Sequence, residues 1–206
     1  HPPYEVPDEV RALRFDMALW RGDRSSDSLQ ASLYSYRYAN DVLADFVAQV
    51  RQGPLAERVL LAATGDHIMR TVGNYTEPQR QHLRMQVPFV VWGAPALRCP
   101  QARHAPASHL DMFPTLFPML GIHAGYLRTG RDLWACESTA PELAVSFVHQ
   151  VRARDAQWQI GQADSLVCQP PSSRCQWPAQ LDAQARARVA LLDWNIRRRV
   201  LTHAAQ

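Results

Sequence analysis

The stretch Val59-Leu60-Leu61-Ala62-Ala63-Thr64-Gly65-Asp66-His67 constrains this chain more than any other. It is a short aliphatic run, closed by a glycine and followed at once by an acid and an imidazole. A run of that length between turn formers predicts a strand buried on both faces of a parallel sheet. Ligands of open α/β sheets gather beyond the carboxyl ends of such strands, so Asp66 and His67 emerge where chemistry is usually done. A carboxylate beside an imidazole is a natural pair of ligands for Zn²⁺ or Mn²⁺. The same residues also read as an ordinary Gly-Asp turn followed by a surface histidine, and the local pattern leaves both readings open.

What surrounds this stretch is the chain of an ordinary globular protein. Its 206 residues suit about one domain, and 47% hydrophobic with 20% charged residues is neither disordered nor membrane-like. No run reaches the roughly 18 to 20 apolar residues that span a bilayer, and no signal peptide is evident. The first residue is His1 rather than Met, which leads us to expect a processed or excised piece with any targeting or anchoring segment outside it. All 22 basic residues are arginine, yet the net charge is only +3 and the arginines are scattered until the C-terminus. Nucleic acid is therefore not an expected partner. Of Cys99, Cys136, Cys168 and Cys175, none forms a CxxC, which disfavours a zinc ribbon. Cys168 and Cys175 flank a turn-rich Gln-Pro-Pro-Ser-Ser-Arg loop that a disulfide could close, consistent with an oxidising compartment.

Along the chain, two prolines after His1 fix an extended backbone. From Ser28 to Val50 the apolar spacing of Leu29, Leu33, Tyr36, Leu43, Phe46, Val47 and Val50 predicts a core-packing helix, stopped at Gly53-Pro54. Residues 68–84 form a polar loop without periodicity, of the kind that tends to be functional, and carry Arg70 and His82. Val87 to Trp92 reads as a second buried strand, with Pro88 near its start. Ser108 or Asp111 can cap a helix that Pro118 shortens or distorts and Gly121 ends. Beyond residue 142, the segments Leu143–Val148, Trp158–Ile160 and Leu166–Cys168 read as antiparallel strands. A final helix spans about Gln180 to Thr202, with Leu181, Ala185, Val189, Leu192, Ile196 and Val200 as its stripe. Its arginines form a solvated face, or less favourably a contact with anionic lipid.

Four segments in order carry a family resemblance: His1-Pro2-Pro3-Tyr4, Thr64-Gly65-Asp66-His67, Val87–Trp92, and Ser108-His109-Leu110-Asp111-Met112-Phe113-Pro114-Thr115-Leu116. Together they resemble the C-terminal half of a sulfatase-type catalytic domain of the alkaline phosphatase superfamily. The branch most similar is that of lipoteichoic acid synthases and lipid A phosphoethanolamine transferases. The resemblance covers residues 1–135, leaving 136–206 as strands and a helix packed on that part. It implies an incomplete α/β domain with a mainly parallel sheet covered by helices, a small antiparallel C-terminal appendage and a final helix.

The same resemblance implies an enzyme, namely a metal-dependent transferase anchored in the membrane by segments outside this chain. It would work on the outer face of the bacterial cytoplasmic membrane or in the periplasm, passing phosphoglycerol or phosphoethanolamine from a phospholipid to an envelope glycan or lipid acceptor. Asp66 and His67 match the Asp-His ligands of a Zn or Mn ion, and His1 matches a histidine on the substrate's phosphate, catalytic as well as substrate-binding. Arg70 and His82 are candidates for further phosphate contacts, weighed evenly against ordinary loop residues, while His104 and His109 read as structural. Ile68 departs from the glycine the family usually has after Asp-His. The nucleophilic threonine and the acidic ligand before it have no counterpart here, so the 206-residue chain alone is expected to be inactive. A sulfuric-ester or phosphodiester hydrolase and a non-catalytic, lipid- or partner-binding relative remain as alternatives.

Overall fold

The computed structural model describes residues 5–16, 26–68, 83–93, 105–123, 125–135, 142–146, 148–171 and 175–204. The chain groups into two compact units, His1–Ala94 and Pro95–Gln206. The division at 135/136 drawn from resemblance answers a different question, since it separates family-like segments from the rest and not compact units.

In the first unit, helix α1 (Asp8–Arg11) packs on the long helix α2 (Ser26–Gln52). Val6, Val10, Leu29 and Leu33 are buried there. The Phe15 and Tyr34 rings lie 5.3 Å apart, and the Tyr34 hydroxyl donates to the Leu13 carbonyl at 3.1 Å. The apolar stripe read from the sequence is thus only partly a core: Val47 is buried, whereas Tyr36, Leu43 and Phe46 are exposed.

Strands β1 (Leu61–Thr64) and β2 (Phe89–Trp92) form a two-stranded sheet with Leu61 opposite Trp92 and Thr64 opposite Phe89. They run antiparallel, which differs from the parallel pairing expected. Their side chains alternate between half-buried and exposed along β1 instead of being covered on both faces. An aliphatic run specifies extended backbone, but the direction of its neighbour is set elsewhere. Gly93 ends β2 at φ 75°, where a Cβ would come within 2.5 Å of the Val59 carbonyl oxygen. Only glycine suits that close approach.

Among the described residues of the second unit, a 3₁₀ turn, His109–Asp111, leads into α3 (Met112–Met119). Pro118 lies inside this helix and keeps it short, as the sequence implied. A four-stranded antiparallel meander follows, in the order β3 (Ala144–Val145), β4 (Gln150–Arg152), β5 (Ala156–Gln159), β6 (Gln162–Cys168). Helix α4 (Ala179–Ala204) closes the unit. The core comprises Leu143, Val151, Ala153, Trp158 and Ala185, with Ile160, Trp177 and Leu181 packed against it. Cys168 and Cys175 form a disulfide that ties the end of β6 to the approach of α4. The antiparallel expectation for this region and the loop-closing bond are both met.

Asp182 knits that core together. One of its oxygens accepts from the Trp158 indole N–H at 3.2 Å and the Gly161 backbone N–H at 3.1 Å, and the other accepts from Arg186 at 2.9 Å. Burial alone would raise its pKa. The bonds from Arg186, Gly161 and Trp158 outweigh that and hold the carboxyl below its ordinary value.

Candidate functional site

At the carboxyl end of β1, the Gly65 N–H reaches the Pro88 carbonyl at 3.4 Å and the chain then leaves the sheet. A Cβ on Gly65 would stand 3.2 Å from Val87, so the turn packs closely against the approach to β2. Asp66 and His67 follow on this bend, with 87% and 52% of their side chains exposed respectively, which leaves both reachable by a ligand.

The pair is ordered by its own backbone. Asp66 Oδ1 accepts the His67 backbone N–H at 2.8 Å. His67 Nδ1 lies 2.8 Å from the Ile68 carbonyl oxygen. A carbonyl can only accept, so this contact places the ring proton on Nδ1 and leaves Nε2 with a lone pair in the neutral ring. Nε2 in turn faces Asp66 Oδ2 at 3.4 Å. Two acceptor atoms set side by side can share a bound cation. Ligand bonds of about 2.1 Å in a tetrahedral zinc site put neighbouring donor atoms about 3.4 Å apart. The donor set and its spacing therefore fit two corners of such a site. Among the described residues no group of three His, Cys, Asp or Glu side chains gathers to hold a metal. His1, Arg70 and His82 lie outside the described residues.

Asp111 is the carboxylate that sequence reasoning undervalued. Read there as a helix cap, it does complete a capping box with Ser108, accepting the Ser108 N–H at 2.8 Å. It also accepts the Arg131 backbone N–H at 2.9 Å and is fully buried. Thr115, equally buried, donates its hydroxyl to the Asp111 carbonyl at 2.6 Å and accepts the Leu133 N–H at 3.0 Å. Arg131 donates to the Pro106 carbonyl at 2.5 Å, and its Nε has no hydrogen-bond partner among the described residues. Gly130 lies against the Leu110 carbonyl with no room for a side chain. Half-buried Arg188 donates to the Leu143 carbonyl at 3.2 Å; burial lowers its pKa while Asp111 opposes that. This cluster clamps 105–111 to 130–133 and offers no open ligand position on Asp111. The only forewarning in the sequence was the cap motif itself, because Arg131 lies 20 residues away.

A mixed helix-and-sheet chain with an exposed acid–imidazole pair at a strand's carboxyl end is compatible with an α/β hydrolase or transferase domain. The family model for sulfatases matches residues 1–122, well over half the chain, and the chain belongs to that family. No curated protein and no solved structure matches it.

Proposed function

We propose that this chain forms the metal-binding part of a sulfatase-family phosphotransferase. The enzyme would be anchored in the membrane through segments outside residues 1–206 and act on the outer face of the bacterial cytoplasmic membrane. It moves phosphoglycerol or phosphoethanolamine from a phospholipid to an envelope glycan or lipid. The observation that carries this reading is the open Asp66–His67 pair, ordered by backbone contacts and exposed to a ligand. In the complete domain, a mainly parallel, helix-covered sheet would be built with segments outside residues 1–206.

In this reading Asp66 and His67 hold a Zn or Mn ion. When bound, the ion neutralises charge on phosphoryl oxygens and lowers the pKa of the attacking hydroxyl, a threonine supplied from outside residues 1–206. The Ile68 carbonyl keeps the His67 ring in the tautomer that presents Nε2. His1 donates a hydrogen bond to the transferring phosphate or protonates the leaving alkoxide. The planar fork of Arg70 binds two phosphate oxygens, with His82 as a further donor.

Family membership equally supports a second reading, a hydrolase of sulfuric esters or phosphodiesters in which water accepts the group. A non-catalytic lipid- or partner-binding relative has no need of an open pair of ligands. The test is the metal content of the full-length protein beside that of an Asp66→Ala, His67→Ala variant. We expect about one Zn or Mn per chain, as a single site of this kind holds, and its loss in the variant. No metal in either protein favours the non-catalytic relative. Release of the head group from a phospholipid, set against sulfate release from an aryl sulfate, then separates transferase from sulfatase.

A further inference from the structure

We propose that the surface made by α3 and the segment after it, residues 113–123 and 125–128, docks on a lipid bilayer carrying anionic phosphate head groups. This inference stands on that surface alone and does not require the transferase reading.

The surface is apolar and outward. Phe113 is 62% exposed, Leu120 53% and Leu127 46%, with Ile122 and Tyr126 also exposed. Local chemistry builds it. Pro118 shortens α3, and Gly121 at φ 68° reverses the chain so that the Ile122 N–H returns to the Phe117 carbonyl at 2.9 Å. Phe117 then meets the Tyr126 ring edge-on at 5.1 Å. Between them lies an open groove of about 320 Å³, whose rim includes His123 and Arg128. That is the small end of the range for ligand pockets, too small for a whole phospholipid and suited to contact with a surface.

Charge selects the occupant. No Asp or Glu occurs from Met112 to Arg131. Arg128 and His123 are exposed and make no hydrogen bond or ion pair with the described residues, which sets a guanidinium and an imidazole beside the apolar groups. Aromatic and aliphatic side chains with basic groups and no acid interleaved are the pattern of surfaces that rest in the interface of anionic bilayers. Two other exposed regions lack this coincidence. On α2 the exposed Tyr36, Val42 and Phe46 are interleaved with Asp41 and Asp45, which an anionic surface repels. On α4 Arg197 is paired with Asp193 at 2.8 Å and Arg198 lies over the Trp194 ring.

The experiment is co-sedimentation of the purified chain with vesicles of phosphatidylcholine alone and of phosphatidylcholine mixed with phosphatidylglycerol. We expect partition onto the mixed vesicles only, weakened by salt. Arg128→Glu should lower it at least about fivefold, the effect of one basic group near such a surface. Leu120→Asp should lower it comparably, and Arg197→Glu, on α4 and already paired with Asp193, should leave it within about twofold. All three sites are exposed, and circular dichroism confirms that the variants stay folded. Equal binding to both vesicles, no binding to either, or an equal loss in Arg197→Glu would overturn the proposal. So would self-association abolished by Leu120→Asp in a chain that ignores vesicles, which would assign the surface to a second copy.

Discussion

Asp66 and Asp111 are the same side chain in opposite circumstances. Asp111 is fully buried, with one oxygen taken by the Ser108 N–H and the other by the Arg131 N–H. Asp66 lends one oxygen to its neighbour's N–H and turns the other toward His67 Nε2 across 3.4 Å, in the open. The difference teaches how to separate a structural carboxylate from a candidate ligand. The first has its acceptor capacity consumed inside the fold, and its loss is felt as instability. The second keeps capacity that the fold does not need, and its loss is felt only where a ligand should bind.

The largest contrast should come from removing the open pair. Asp66→Ala with His67→Ala should abolish metal binding and lower turnover of the full-length enzyme by about 100-fold or more, a ligand counting for at least as much as its supporting groups. Its effect on stability should stay within about 0.5 kcal/mol, as for other exposed substitutions. Metal content and thermal unfolding of the same samples check both halves, and a large drop in stability would erase the distinction drawn here.

Asp111→Ala should do the reverse. It removes the acceptor of the Ser108 and Arg131 backbone N–H groups and leaves those donors unpaired, a loss of about 1–3 kcal/mol for each in urea unfolding. Metal binding at Asp66 and His67 should persist in whatever fraction remains folded.

Asp182 sharpens the comparison through pH. Its carboxyl is held below the ordinary value in the folded state, so it contributes stability that is complete above the unfolded pKa of about 3.9 and is lost as pH falls below it. Asp182→Asn should cost about 1–3 kcal/mol at neutral pH and flatten the acid limb of the stability profile. The smallest effect belongs to Arg197→Ala, which breaks an exposed pair with Asp193. It should change stability by less than about 0.5 kcal/mol.

How far these roles were legible in the sequence follows from the range of the signals. Local signals held: the periodicity of α2, the proline-shortened α3, the helix from Ala179 and the loop closed by Cys168 and Cys175. Signals that depend on a distant partner did not. Whether Leu61–Thr64 pairs parallel or antiparallel is not written in its own residues, and the antiparallel partner lies across residues 65–88. Strand β4 carries a single apolar side chain, Val151, between Gln150 and Arg152, too little alternation to announce a strand. Helical spacing in α2 marked Tyr36 and Phe46 as core, yet spacing defines a face without saying whether anything covers it. The Asp66–His67 pair was legible because adjacency in sequence guarantees adjacency in space, and the Asp111–Arg131 contact was not, for the opposite reason.

The hydrogen bond from the Trp158 indole to Asp182 has a consequence for hydrogen exchange. That proton sits on a fully buried ring, edge-on to Trp177 and backed by Ala185. Solvent can reach it only when α4 lifts from the sheet, so its exchange rate measures the opening free energy of the C-terminal unit. The backbone at Asp66 and His67 should exchange orders of magnitude faster, and the ratio of the two rates gauges how separately the candidate site and the C-terminal core breathe.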